Sequence, residues 1–126
     1  MTKHYDSNNI FAKIIRGEIP CNKVFEDENT LAFHDISKAA PTHILVIPKG
    51  EYVDFDDFVS NARPEEFSNF FKTVRDIASA NGVSQSGYRL ITNKGTEASQ
   101  TVKHFHIHIL GGRALGGLLP NDKLNR

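Results

Sequence analysis

Between His104 and Gly112 the chain reads His-Phe-His-Ile-His-Ile-Leu-Gly-Gly, three histidines alternating with bulky apolar residues. A side-chain period of two belongs to an extended strand, because successive residues point to opposite faces. The segment from His104 to Leu110 is therefore read as a strand with its histidines on one face, broken by Gly111 and Gly112. A helix is excluded here.

Other segments follow the same logic of period and punctuation. Asn8 and Asn9 precede Ile10, Phe11, Ile14 and Ile15, a helical spacing closed by Gly17. Val24 to Glu26 and Leu31 to Asp35 flank a polar stretch and read as a strand hairpin. The run His43 to Ile47, ended by Pro48, reads as a central strand. From Pro64, apolar residues at Phe67, Phe70, Phe71, Val74, Ile77 and Ala78 recur at helical spacing up to Gly82. Tyr88 to Thr92 is a further strand, and Asn93 to Gln100 a polar loop. The elements amount to an α+β class: about five strands in an antiparallel meander sheet with two helices interspersed. With 126 residues and 39% hydrophobic content the chain is expected to form a single domain over residues 1–126. Residues 1–9 are expected to be a flexible N-terminus and 113–126 a C-terminal tail.

Charge narrows the partners. Fifteen Lys and Arg balance fifteen Asp and Glu, which leaves no bias toward polymeric nucleic acid or an anionic membrane, though a small anion needs only a few local donors. Cys21 is the only cysteine, so no intrachain disulfide can form and a reducing compartment is expected. The N-terminus lacks the apolar stretch of a signal peptide, and the expected location is the cytoplasm.

Two chemistries compete for the histidines. Histidine is a common zinc ligand, but His104 and His108 leave a regular strand about 13 Å apart, so one ion could not take all three. A metal site would have to recruit His43, His34 or Asp35. Alternatively, a neutral imidazole can attack phosphorus near neutral pH without a base to deprotonate it first. His106, in the middle, is then the natural attacker, with its neighbours fixing its tautomer or exchanging a proton with the leaving group. The preceding loop offers Asn93, Lys94, Gly95, Ser99, Gln100 and Thr101 as a phosphate cradle, although many polar loops look like this. Asp35 could accept ribose hydroxyls, or merely cap the turn with Ser37; spacing leaves both open.

Taken together, IFAKIIRGEIP (Ile10 to Pro20), FEDENTLAFHDISKAAPTHILVIPK (Phe25 to Lys49), GYRLITNKG (Gly87 to Gly95) and HFHIHILGG closely resemble the histidine triad (HIT) superfamily, and within it the Hint nucleoside phosphoramidases. The likeness implies His106 as nucleophile, carrying the nucleotide as a covalent nucleotidyl-imidazole, with His43, His104 and His108 in support. It implies Asp35 on the ribose hydroxyls, a purine pocket of Phe11, Ile14, Ile19, Phe33, His34 and Ile36, and phosphate binding by Asn93, Gln100 and Thr101. Implied too are a purine nucleotide substrate (AMP, GMP, a phosphoramidate or an aminoacyl-adenylate-like compound) and a homodimer formed through the long helix and a strand. Some bacterial relatives carry a zinc-binding C-x-x-C near the first helix. Here Asn9 and Ala12 stand at those positions, so neither a metal nor another cofactor is expected. The tail offers Leu115, Leu118 and Leu119 where animal members have Trp.

The expected function is therefore a purine nucleoside phosphoramidase or closely related nucleotide hydrolase. The rivals are a dinucleoside polyphosphate hydrolase, disfavoured by the Gly-Gly after the third histidine, and a nucleotide-binding interaction protein with incidental turnover.

Overall fold

The computed structural model describes residues 4–122; residues 1–3 of the expected flexible N-terminus and 123–126 of the expected tail lie outside them. Five strands form one antiparallel sheet: β1 (Lys23–Glu26), β2 (Thr30–His34), β3 (Thr42–Pro48), β4 (Tyr88–Ile91) and β5 (Ile107–Gly111), in the order β1-β2-β3-β5-β4. The helices are α1 (Ile10–Ile15), α2 (Phe55–Asn61) and α3 (Pro64–Ala80).

Three expectations need correction. The sheet is not a simple meander, because β5 inserts between β3 and β4. Its alternate residues Ile107, Ile109 and Gly111 are all buried, which suits a central place, whereas β4 is only partly buried and takes the edge. There are three helices among the described residues rather than two. Helix α2 is short, with Asp54 accepting from the Asp57 amide and Asp57 accepting from the Val53 amide, a reciprocal cap that its few apolar residues did not advertise. The histidine strand is also shorter than expected: the regular ladder begins at Ile107, and residues 104–106 lie outside it.

Both faces of the sheet are covered, which is why β3 reads as a continuous apolar run. Ile44 and Val46 of β3, with Ile107 and Ile109 of β5, face α2 and α3 and join Phe58, Phe70, Val74, Ile77 and Phe105 in the larger core. Phe58 is its hub: wholly buried, it stacks on Phe105 at 4.7 Å between ring centroids and meets Phe70 edge-on at 5.2 Å. Leu45 and Ile47 point the other way and pack with Leu31, Phe33 and Phe11 beneath α1. His43, two residues before Leu45, shares that second face. So does His108, which pairs directly with Leu45.

The two glycines ending β5 have distinct reasons. A Cβ on Gly111 would stand 3.0 Å from a methyl of Val83, and Gly112 adopts φ +90° with its would-be Cβ 2.9 Å from Pro41. A side chain at Gly112 would clash and be strained in its backbone at once.

Candidate active site

The face beneath α1 holds a cavity of about 330 Å³, within the range of small-molecule sites. Its wall includes Phe11, Ile14, Ile19, Phe33, His34, Asp35, Ile36, Thr101, His106 and His108, all singled out from the sequence. Ile10, Pro20, Cys21, Asn22, Leu45 and Val102, which were not singled out, complete it. Cys21 follows Ile19 and Pro20 directly, so its position in the wall could have been read from theirs. Ile36 is 93% exposed at the rim. Another cavity of similar size, about 340 Å³, lies against α3 among Asp27, Glu66, Lys72, Arg75 and Asp76, but no histidine reaches it.

Strand pairing assembles the polar end. The Asp35 amide donates to the His43 carbonyl just beyond the β2–β3 ladder, so the two residues are cross-strand neighbours. His43 lies diagonally across from His108, and His43 Nε2 is 2.9 Å from His108 Nδ1. Asp35 Oδ2 is 3.4 Å from the same His43 nitrogen. Asp35 Oδ1 accepts from the Ser37 amide at 2.8 Å, so this carboxylate caps its turn and also lines the cavity.

Hydrogen-bond donors decide the tautomers. The Ala39 amide donates to His43 Nδ1 at 3.0 Å, which puts the proton of neutral His43 on Nε2. That Nε2–H donates to His108 Nδ1 and leaves the His108 proton on Nε2. His106 Nδ1 lies 2.7 Å from the His104 carbonyl, an obligate acceptor, so His106 carries its proton on Nδ1 and keeps a lone pair on Nε2. The outcome is a nitrogen with a free lone pair beside a ring that presents a proton, the two ring centroids 5.2 Å apart.

Burial keeps these rings neutral. It pushes His104 and His108 down to about 4 and lowers His106 and His43 as well, since removing an imidazolium from water disfavours the charged form. In His108 the neighbouring His106 and His43 add to the effect, whereas Asp35 partly opposes it in His43, His106 and His108. The contact between Asp35 and His43 is accordingly one of a carboxylate with a neutral ring rather than an ion pair.

Asp35, His43 and His108 each offer an atom within 4.8 Å of the others, a spacing that suits a metal ion. The donor set fits poorly, however. His43 Nε2 bears the proton dictated by the Ala39 amide, so the nitrogen nearest the other two has no lone pair to give.

The remaining sequence-derived residues stand apart from the cavity wall. His104 is wholly buried behind His106, with Nε2 2.7 Å from the Pro48 carbonyl. Gln100 holds the 95–102 loop together, donating to the Val53 and Val102 carbonyls and accepting from the Gly95 amide. Asn93 donates to the Ala98 carbonyl. Both amides thus brace the loop that presents Thr101 to the cavity, and Ser99 in the same loop takes a left-handed φ of +61°. Two residues that sequence reasoning missed also bear on His106. The Thr92 hydroxyl donates to the His106 carbonyl, and the Tyr5 hydroxyl reaches His104. Neither has a local signal, because each contact joins distant parts of the chain.

Among the described residues no helix is long and apolar enough to cross a membrane. A family model described as the HIT domain matches residues 16–115. An uncharacterized HIT-like protein of Azospirillum brasilense is 54% identical over 119 residues, covering 94% of this chain and 98% of that protein. The purine nucleoside phosphoramidase of Escherichia coli K12 is 43% identical over 115 residues, covering 91% of this chain and 96% of that one. The crystal structure of a HIT family hydrolase from Legionella pneumophila superposes with a TM-score of 0.80 at 45% identity, over 85% of this chain and 95% of that chain. With the family model spanning residues 16–115, most of the sequence, this chain belongs to the HIT domain family.

Proposed function

We propose that this HIT-family, hydrolase-like protein is a purine nucleoside phosphoramidase or closely related nucleotide hydrolase, working by two displacements at the α-phosphorus. The observation that carries the reading is the tautomer of His106, whose Nε2 lone pair belongs to a ring lining a cavity shared with Asp35 and His108. In the first displacement that nitrogen bonds to phosphorus while the P–N bond to the amine breaks. The departing amine must gain a proton, and a neutral imidazole is too weak an acid to give one; in this reading His108, backed by His43 and Asp35, takes up a proton from solvent as the anionic substrate binds and passes it to the amine, returning to its neutral form. Water then attacks the nucleotidyl-imidazole, restores the proton to the relay and releases the nucleotide. No electron transfer is involved, and the lowered pKa of His106 keeps its lone pair available at neutral pH.

The apolar part of the cavity, with Phe11 edge-on to His106 at 4.9 Å and Phe33 beyond it, suits a purine ring. His34 Nδ1 in its wall is buried without a hydrogen-bond partner among the described residues, and a nucleobase could supply one. In this reading Asp35, in the cavity wall, takes the ribose hydroxyls, and Thr101, also in the wall, takes the phosphate. The E. coli phosphoramidase at 43% identity supports the same class. Pairing of two copies also belongs to this proposal, supported by edge strand β4 with Leu90 exposed upon it.

Rapid mixing with an adenosine phosphoramidate, followed by intact-mass analysis, should find AMP attached to His106. His106→Ala should lose several orders of magnitude in turnover. Turnover with no adduct and an active His106→Ala variant would reject the mechanism. A diadenosine polyphosphate cleaved faster than the phosphoramidate would move the activity to the other hydrolase branch.

A further inference from the structure

The N-terminal segment contributes a side chain to the histidine cluster. The Tyr5 hydroxyl lies 2.6 Å from His104 Nδ1, and the two rings meet edge-on at 5.6 Å. Pro48 O, 2.7 Å from His104 Nε2, can only accept, so the ring proton sits on Nε2 and Nδ1 accepts from the Tyr5 O–H. The segment is held in place: the Asn9 amide and its side chain both donate to the Asp6 carbonyl, and Asn9 caps α1.

This contact matters because of where His104 stands. Its carbonyl accepts the Nδ1–H of His106, the bond that leaves His106 Nε2 with its lone pair. Residues 104–106 precede the regular ladder, which starts at Ile107, so strand pairing does not fix their backbone. The segment is held by the Phe105 amide donating to Tyr52 O, the Thr92 hydroxyl donating to His106 O, and the bonds of the His104 ring.

We propose that Tyr5 is a positioning residue: its hydroxyl fixes the orientation of the His104 ring, whose proton the Pro48 carbonyl already assigns to Nε2, and through the His104 carbonyl it holds the His106 imidazole with Nε2 toward the cavity. The inference rests on the nucleophilic role of His106 proposed above and extends the site to a residue outside the cavity. The raised pKa of Tyr5, due mainly to burial, keeps it a phenol able to donate at neutral pH.

Tyr5→Phe keeps the ring and removes only the hydroxyl, leaving a buried acceptor without its donor. Its urea midpoint compared with wild type establishes that it folds. With an adenosine phosphoramidate, kcat should fall roughly tenfold or more while KM stays within about twofold, as expected for a misplaced reacting group. Nitrogen NMR of the histidine rings in nucleotide-free protein should show single tautomers for His104 and His106 in wild type, and in the variant a shifted His104 Nδ1 signal together with shifted or broadened His106 ring signals. Unchanged kcat, or unmoved His106 ring signals, overturns the proposal. Should wild type itself show no turnover, the proposed function fails separately, and the ring signals alone decide whether Tyr5 positions His106.

Discussion

The burial of His104 can be read out as a dependence of stability on pH. The folded ring has no exposed surface and titrates at about 4 against an ordinary value of 6.5. In the unfolded chain the same ring should titrate at its ordinary value. Between those two values the unfolded state binds a proton that the folded state does not, so stability rises with pH across that window and is lost as pH falls through it. Above the unfolded value this group contributes no slope. The gap, at ~1.36 kcal/mol per pH unit, amounts to roughly 3 kcal/mol. His104→Gln is the informative perturbation, since its amide N–H can reach the Pro48 carbonyl but cannot titrate. Urea unfolding of both proteins from about pH 7.5 down to about pH 4.5 gives the difference in stability at each pH, and titrations common to both cancel in the subtraction. The difference should be constant above about pH 7 and should move in favour of the variant by roughly 2–3 kcal/mol by about pH 4.5. Parallel curves would mean that the ring protonates as freely as in water. That result would refute the buried, neutral imidazole behind His106 and the tautomer assignment built upon it.

Two further outcomes test the cavity and the core. Asp35→Asn preserves an oxygen for the Ser37 amide but removes the charge that would accept two ribose hydroxyls, so AMP affinity measured by titration calorimetry should fall roughly tenfold or more. Unchanged affinity would leave Asp35 only its turn. Phe58→Ala empties the centre of the aromatic cluster and should cost about 3–5 kcal/mol in urea unfolding near neutral pH; a loss below about 1 kcal/mol would contradict the packing described for α2.

Much of the architecture is legible without coordinates. The apolar run of β3, the helical spacing from Pro64 to Ala78, the hairpin before Asp35 and the Asn9 cap of α1 each appear where their patterns place them. The purine-pocket residues, which only the family resemblance singles out as such, Phe11, Ile14, Ile19, Phe33, His34 and Ile36, line one cavity with His106 and His108, and His43 is hydrogen-bonded to His108. Less legible is α2: its seven residues Phe55–Asn61 hold only Phe55, Phe58 and Val59 as apolar positions, too few for a period to emerge. The hydrogen bonding of the loop amides was not legible either. Asn93 donates to the Ala98 carbonyl and Gln100 to those of Val53 and Val102, because buried backbone carbonyls need donors and a side-chain amide can supply them from far along the chain.

By itself the sequence determined what neighbouring residues can settle among themselves: which segments extend, which coil, which face carries the histidines and which the aliphatic side chains. It had no means of saying which strand lies beside which. Insertion of β5 between β3 and β4 is what brings His43 to His108 across 65 positions, and a separate contact across 99 positions sets Tyr5 against His104. The physical reason is that periodicity is a local property of the chain, enforced by backbone geometry over a few residues. Strand order and proton placement instead emerge from competition among all the faces for burial and all the donors for acceptors. The lone pair on His106 is a consequence of that competition: it exists because a carbonyl two residues earlier claims the ring's proton.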